Sequence, residues 1–274
     1  MRLQPATKTD LPQLAAVGAA AFAEDAIYGH FHPFPDIYPQ DFYDSIFNTL
    51  HRLLVTPGAL IILLELEGAE LAASEYMNGG NSTGALPQEK RIVAYFALVR
   101  YGNEKAVAAW NPDSEEKPQG LQRKLLDIEQ AKYRDRSATP GVVEGFYKPE
   151  MDVIGDVPER IDARTLAILP EFQRKGLGNK LLAWGYDRVN AEQVPMFGDA
   201  SKKDISLYLK TGFKLIGSVK LKARTVHLPD DLAHAVPNGT LGKDAATPIR
   251  LEELEVPVIK YSPSPNAKRL NYQL

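Results

Sequence analysis

Residues 163–190 read ARTLAILPEFQRKGLGNKLLAWGYDRVN, and the rest of the chain is organised around them. A strand-like apolar run at 165–169 stops at Pro170. A short polar loop, 171–175, leads into Gly176-Leu177-Gly178, after which a helix is predicted to begin at once. Strand, glycine-bearing loop and helix amino terminus together make a physical solution for holding a phosphate. The first turn of a helix has unpaired N–H groups pointing outward and carries partial positive charge. Glycines let a ligand approach the backbone, and Arg174 and Lys175 add full charges beside it.

The 274 residues allow one large domain or two small ones. With 44% hydrophobic and 24% charged residues, the chain can bury a full core. A net charge of −3 and a pI near 6.0 leave no electrostatic footprint for nucleic acid. The absence of cysteine excludes a disulfide framework, thiolate zinc sites and a cysteine nucleophile, and it fits a reducing compartment. Residues 1–14 lack the apolar core of a secretory signal, and Asp10 comes early for a transit peptide. The most apolar run, 59–66, is far shorter than the roughly 20 residues of a spanning helix. The expectation is a soluble, cytoplasmic protein with no membrane and no nucleic-acid partner.

Downstream of the glycine loop, residues 195–197 read as a short buried strand and 203–210 as a short helix that Gly212 terminates. Residues 213–221 form the next strand, 225–250 have turn-rich composition, 254–261 make a last strand and 263–274 a flexible tail. Upstream, residues 119–136 have helical spacing at Leu121, Leu125 and Ile128, with irregular stretches on either side. Residues 91–101 are a strong strand by aromatic and β-branched content, 79–88 a loop, and 59–66 a nearly continuous apolar strand. Phe42, Ile46, Phe47, Leu50 and Leu54 set a helix over 41–54. Residues 27–39 carry Gly29, Pro33, Pro35 and Pro39 and predict an ordered loop. Before it comes a helix on Leu11, Leu14, Ala15, Val17 and Phe22, capped by Thr9 or Asp10, and before that a strand at 2–6. The order predicts a mixed α/β (α+β) layer around one central sheet.

The run from Gln173 to Gly178, QRKGLG, matches a Q/R-x-x-G-x-G/A signature. It is preceded by LAILPE at 166–171 and followed by LYLKTGF at 207–213. On these residues the chain resembles the GCN5-related N-acetyltransferase superfamily, whose fourth strand precedes the signature and whose L-Y-x-x-x-G-F segment follows it. The surrounding wording most resembles fungal members that act on small or undefined amines. The close match covers residues 162–218. The resemblance implies a central mixed, mostly antiparallel sheet of about seven strands flanked by helices, with an inserted helix. It further implies a single acetyltransferase domain over 1–262, with insertions at about 102–162 and 225–250.

In this family acetyl-CoA is the acyl donor and its pantetheine arm pairs with the fourth strand. That implies backbone contacts from Leu166, Ala167 and Ile168, which are equally ordinary strand residues. The pyrophosphate is implied on Gln173, Arg174, Lys175, Gly176, Leu177, Gly178 and Asn179, although Arg174 and Lys175 also read as a solvated charged loop. Tyr208 matches the tyrosine that protonates the departing thiolate, a sensible donor with an ordinary pKa of about 10; otherwise it is a core tyrosine. Ser201 stands where relatives have an asparagine that contacts CoA, and a serine can still donate one hydrogen bond. For the general base, Asp199 and Asp162 are the candidates, each also readable as a satisfied turn or cap residue. The family builds its acceptor site at 27–39, which makes Tyr28, His30, Phe31 and Phe34 an aromatic wall for a substrate cation. The bland alternative is a hydrophobic lid. Two histidines two residues apart make no metal site, and no metal is expected.

The reading is an acetyl-CoA-dependent N-acetyltransferase that transfers an acetyl group to an amine of a small molecule by direct attack in a ternary complex. Alternatives are a protein or peptide N-acetyltransferase and a non-catalytic CoA-binding sensor. The absence of an acidic block near 27–39 disfavours basic protein tails as acceptors, and the expected assembly is a monomer or homodimer. No G-x-x-x-x-G-K-[ST] loop occurs, which disfavours a nucleotide hydrolase.

Overall fold

The longest strand, β3 (Lys90–Tyr101), is where the core is densest, with both faces covered from Val93 to Leu98. Such a strand needs no polar alternation, which is why its sequence is a continuous run of β-branched, aromatic and aliphatic residues. The computed structural model describes residues 1–68, 71, 90–110, 119–139, 141–227 and 248–264. Around β3 lie β1 (Arg2–Pro5), β2 (Ala59–Glu67), β4 (Arg160–Ile168), β5 (Met196–Asp199), β6 (Lys214–Leu221) and β9 (Leu254–Tyr261). They form a seven-stranded sheet in the order β1-β2-β3-β4-β5-β9-β6. Every neighbouring pair is antiparallel except β4–β5, which is parallel.

Among the described residues the α-helices are α1 (Leu11–Phe22), α2 (Ala26–Phe31), α3 (Pro39–Leu54), α4 (Glu104–Ala108), α5 (Gln119–Gln130), α6 (Val142–Ile154), α7 (Leu177–Glu192) and α8 (Ile205–Lys210). Consecutive strand residues point to opposite faces. The Tyr95 hydroxyl lies against Gly18 of α1, and the Phe96 ring lies against Gly185 of α7. Helix α1, with α3 packed on it, therefore covers one face and α7 the other. Met196 also reaches Gly185, so its neighbour Phe197 points to the α1 face. There Phe197 joins Phe146 and Ile154 of α6, Phe31 of α2 and Val256 and Val258 of β9 in a second apolar cluster.

Several expectations require correction. Residues 27–39 are not a loop throughout. Helix α2 occupies their first part because Asp25 caps it, accepting from the backbone N–H of Ile27 and Tyr28, while all three prolines fall after its last turn. Helix α3 begins two residues earlier than expected, with Pro39 in its first turn, where a missing N–H costs nothing. The irregular stretch before β4 contains α6, which tolerates Pro149 because Phe146 and Ile154 are buried beneath it. The polar stretch after β3 contains α4, capped by the Asn103 side chain on the Ala106 N–H.

Helix α5 ends at Gln130, and two of the residues expected on its apolar face are turned outward: Leu125 and Ile128 are 59% and 60% exposed, while Leu126 is buried. Asp10 does not cap α1 but turns back onto the Thr7 N–H and hydroxyl, closing a 3-10 turn. Within 225–250, β7 (Arg224–Val226) pairs with β8 (Ile249–Leu251) as a separate two-stranded sheet. The predicted loop at 79–88, the middle of that segment and most of the tail lie outside the described residues. Among the described residues no helix is long and apolar enough to cross a membrane.

Candidate active site

The parallel pair β4–β5 is joined over three residue pairs only: Ile161 with Met196, Asp162 with Phe197 and Ala163 with Gly198. Beyond them β4 runs on to Ile168 while β5 ends at Asp199, so the sheet opens between the two strands. Gly198 permits the last contact, since a Cβ there would lie 3.1 Å from the Ala163 carbonyl oxygen. On the other side of β4 the Leu169 N–H donates to the Val93 carbonyl at 2.9 Å. By strand alternation the backbone groups of Leu166 and Ile168 then face away from β3, into the opening. The Gln173 side-chain amide reaches back to the Ile168 carbonyl at 3.1 Å, tying the loop to the strand end.

That loop is a 3-10 turn, Pro170–Phe172, anchored by the buried Phe172 ring. Arg174 and Gly176 follow with φ of 61° and 83°, the left-handed conformation that aims successive N–H groups to one side. Helix α7 starts immediately, with Gly176 as N-cap and no side chain capping it. Its first-turn N–H groups remain available to an outside acceptor. Gly178 sits where a Cβ would come within 3.3 Å of Leu207 and 3.4 Å of Ile168, so the absent side chain lets α7 approach both β4 and α8.

A cleft of about 470 Å³ opens over this floor. Leu166, Ile168 and Leu207 give it an apolar bed, the α1–α2 turn forms one wall, and Gln173, Arg174, Gly176, Gly178, Asn179 and Lys203 stand around it. Among the described residues no carboxylate pairs with Arg174, whereas Lys175 lies over the Phe172 ring at 5.3 Å. Below the cleft, at the point where the strands part, is a recess of about 90 Å³ reached by Tyr28, Arg164, Asp199, Ser201 and Tyr208. Tyr208 lines both spaces.

Burial governs the electrostatics of the recess. It pushes the Asp199 carboxyl up to about 6, against the Arg164 guanidinium, which favours the charge. Burial, then the Asp199 charge, raises the Tyr208 hydroxyl, so that it stays protonated over the physiological range. Tyr28 is raised well above its ordinary value, chiefly by burial. Asp25 is raised by burial as well, although its two backbone hydrogen bonds oppose this. Burial would lower Arg164, yet Tyr147, Tyr101, Asp162 and Glu150 around it keep its affinity for the proton raised.

The expected residues divide by place. Leu166, Ile168, Gln173, Arg174, Gly176, Gly178, Asn179 and Tyr208 converge on the cleft, and Tyr28, Asp199 and Ser201 on the recess. Ala167 and Leu177 are turned into the core. Ser201 is already engaged, donating to the Asp204 carboxylate at 2.9 Å. His30, Phe31 and Phe34 are not brought to either space. Phe31 packs edge-on against Phe146, Phe34 joins Tyr38 and Val226, and His30 is buried with its carbonyl accepting from Arg224. Asp162 is drawn to Arg160 at 2.9 Å.

Sequence reasoning passed over Asp25, Lys203, Asp204 and Arg164. For Asp25 a signal existed, an acidic residue two positions before an apolar turn, as helix N-caps have. Among the described residues there is no group of histidine, cysteine and carboxylate side chains that could hold a metal ion.

No family model and no curated protein matches the chain. Among solved structures it is similar to a histone acetyltransferase HPA2 and related acetyltransferase from Corynebacterium glutamicum, at 16% identity and a TM-score of 0.49, over 97% of this chain and 98% of that one. It is also similar to a polyamine N-acetyltransferase from Drosophila melanogaster that catalyses formation of N-acetylagmatine, at 14% identity and a TM-score of 0.45, over 95% and 99% of the two chains. A third is the ribosomal-protein-S18-alanine N-acetyltransferase of Escherichia coli, at 13% identity and a TM-score of 0.40, over 99% of each chain.

Proposed function

We propose that this chain is an acetyl-CoA-dependent N-acetyltransferase of the GCN5-related superfamily, with residues 1–262 as its single catalytic domain and a small-molecule amine as acceptor. The observation that carries the reading is the opened β4–β5 seam, which leads directly to the uncapped amino terminus of α7. The residues present fit the donor. An elongated thiol arm can pair with the backbone edge of Leu166 and Ile168 that β5 does not cover, as an added strand does. A pyrophosphate can accept from the N–H groups between Arg174 and Asn179, where the left-handed turn and the helix dipole favour negative charge. Arg174 and Lys203 supply charge at the rim.

When bound, acetyl-CoA supplies a thioester whose carbonyl carbon is open to attack by an amine nitrogen. The chain's own groups bring the partners together and move protons. The narrow recess admits a small primary amine more readily than a folded surface, and holding it against the donor supplies much of the acceleration. Asp199, raised to about 6, is ionised near neutral pH yet basic enough to take a proton from an ammonium group. Tyr208, held neutral by burial at the junction of cleft and recess, can give a proton to a departing thiolate. Tyr28, stacked on Phe22 at 4.1 Å, gives the recess an aromatic wall for the acceptor.

Gly176→Asp tests the donor site. The position is open, so nothing in the fold opposes a side chain except its left-handed backbone, but the carboxylate would stand where the pyrophosphate is assigned. Calorimetry should show acetyl-CoA binding by the wild type and none by the variant. Normal binding by the variant would remove the phosphates from this loop. Release of CoA across a panel of polyamines, amino acids, arylalkylamines, aminoglycosides and peptides identifies the acceptor.

A further inference from the structure

Behind Asp199, on the α6 side of the seam, lies a void of about 10 Å³ that the reaction described above does not use. Its polar walls are Tyr147 and Glu150 from α6, Asp162 and Arg164 from β4 and Asp199 from β5. The volume matches a single water molecule, and the walls offer several partners for one. Arg164 and Asp199 line the recess as well, so one carboxylate faces the reacting groups on one side and the void on the other.

Glu150 is the unusual member. It is 4% exposed, it rises from the apolar face that carries Phe146 and Ile154, and its carboxyl makes no hydrogen bond or ion pair with another described residue. The two arginines nearby are otherwise placed. Arg160 holds Asp162 and lies over the Tyr101 ring, and Arg164 lies over the Tyr147 ring. Around Glu150 the charged and titratable groups are therefore Asp199, Arg164, Asp162 and Arg160, with Tyr147 and Tyr101 beyond. Helix α2 and strands β6 and β9 meet α6 through apolar side chains such as Phe31, Val219 and Val258.

Burial, and then the Asp199 charge, raise Glu150 to about 8. Asp199 at about 6 ionises first, and accordingly Glu150 does not figure among the charges that shift it. At neutral pH one carboxyl is a donor and the other an acceptor. A buried carboxyl with no partner is costly unless something satisfies it.

We propose that Glu150 is a positioning residue for Asp199, the two carboxyl groups being joined through one water in this void, with Glu150 as donor and Asp199 as acceptor. The link fixes the Asp199 carboxylate toward the recess, where it takes one proton from the acceptor ammonium. The catalytic consequence rests on the acetyltransferase reading. The carboxyl link does not.

Three variants test it. Glu150→Gln keeps a donor at every pH, so the ratio of its kcat to that of the wild type should rise about tenfold from about pH 7 to about pH 9, as the wild type loses its donor. Glu150→Leu removes the donor, and kcat at about pH 7 should fall roughly tenfold with the acetyl-CoA KM unchanged, the gap to the wild type closing toward about pH 9. Glu150→Asp should recover part of that loss. A Gln variant whose pH profile parallels the wild type, or a Leu variant with full kcat at about pH 7, overturns the proposal.

In the ligand-free protein, titration of isotope-labelled aspartate should show the Asp199 midpoint moved upward in Glu150→Leu and little changed in Glu150→Gln. An unmoved midpoint in Glu150→Leu also overturns it. That measurement requires no acceptor, so a chain that acetylates nothing would refute the proposed function while the titration still decides the link.

Discussion

Glu150→Gln has a second consequence, on stability, that follows from the raised proton affinity that burial and then the Asp199 charge give this carboxyl. In the folded chain the Glu150 proton is held up to about 8, against an ordinary value of 4.5. At about 1.4 kcal/mol per tenfold difference in proton affinity, ionising it in place costs roughly 5 kcal/mol more than ionising it in the unfolded chain. Because the folded affinity is the higher one, this contribution is complete below about pH 4.5 and is lost as pH rises through about 8. Glutamine has nearly the shape of the protonated acid and never ionises. The two proteins should match within about 1 kcal/mol near pH 4.

Above that the variant should gain on the wild type by about 1.4 kcal/mol per pH unit, flattening beyond about pH 8 at a figure for which 5 kcal/mol is an upper bound. Asp199 adds its own loss between about pH 4 and pH 6 in both proteins, so it cancels in the difference. Urea melts followed by the fluorescence of Trp110 and Trp184 give the difference at each pH. A difference that stays constant with pH, or a variant less stable than the wild type near pH 9, would refute the burial argument.

Tyr208→Phe should lower kcat about a hundredfold while calorimetric acetyl-CoA affinity is retained, and equal turnover would remove the hydroxyl from proton transfer. Gly178→Val should destabilise by about 1–3 kcal/mol in thermal or urea melts and weaken acetyl-CoA binding, because its branches would enter the contact with Leu207 and Ile168. Arg136→Ala should cost about 2 kcal/mol, measured by urea melts, since it strips the buried Asp41 carboxylate of contacts at 2.6 and 2.7 Å. A cost under about 0.5 kcal/mol would mean that solvent replaces the arginine.

The sheet was legible in the sequence wherever strands are buried on both faces. Runs such as 59–66 and 91–101 carry too little polarity to be anything else in a chain of this composition. The backbone that shapes the cleft was legible, because glycine at 176 and 178 marks a left-handed conformation and a close approach. Helices α2 and α6 were not. Gly145 and Pro149 punctuate α6 like a loop, and what keeps it helical is packing of Phe146 against Phe31, more than a hundred positions away. The aromatic residues after Tyr28 are interchangeable as sequence signals, yet the helical turn that Asp25 starts sends Tyr28 to the recess and Phe31 to a different core. The recess draws on five separated segments and the void behind it on α6 as well, so no local pattern announces Arg164, Asp199 and Glu150 as neighbours.

The three residue pairs that join β4 to β5 divide the sheet into a four-stranded and a three-stranded panel. Backbone edges of Leu166 and Ile168 belong to the first panel, while Asp199 and Tyr208 belong to the second or to the helix beside it. A molecule lying across the seam acts as a rivet between the panels. On the proposed function, whatever loosens the joint separates the backbone assigned to grip the donor from the side chains assigned to move protons, and a ligand that occupies it should slow amide exchange on both sides together. In this architecture ligand occupancy and the mechanical continuity of the sheet are one quantity.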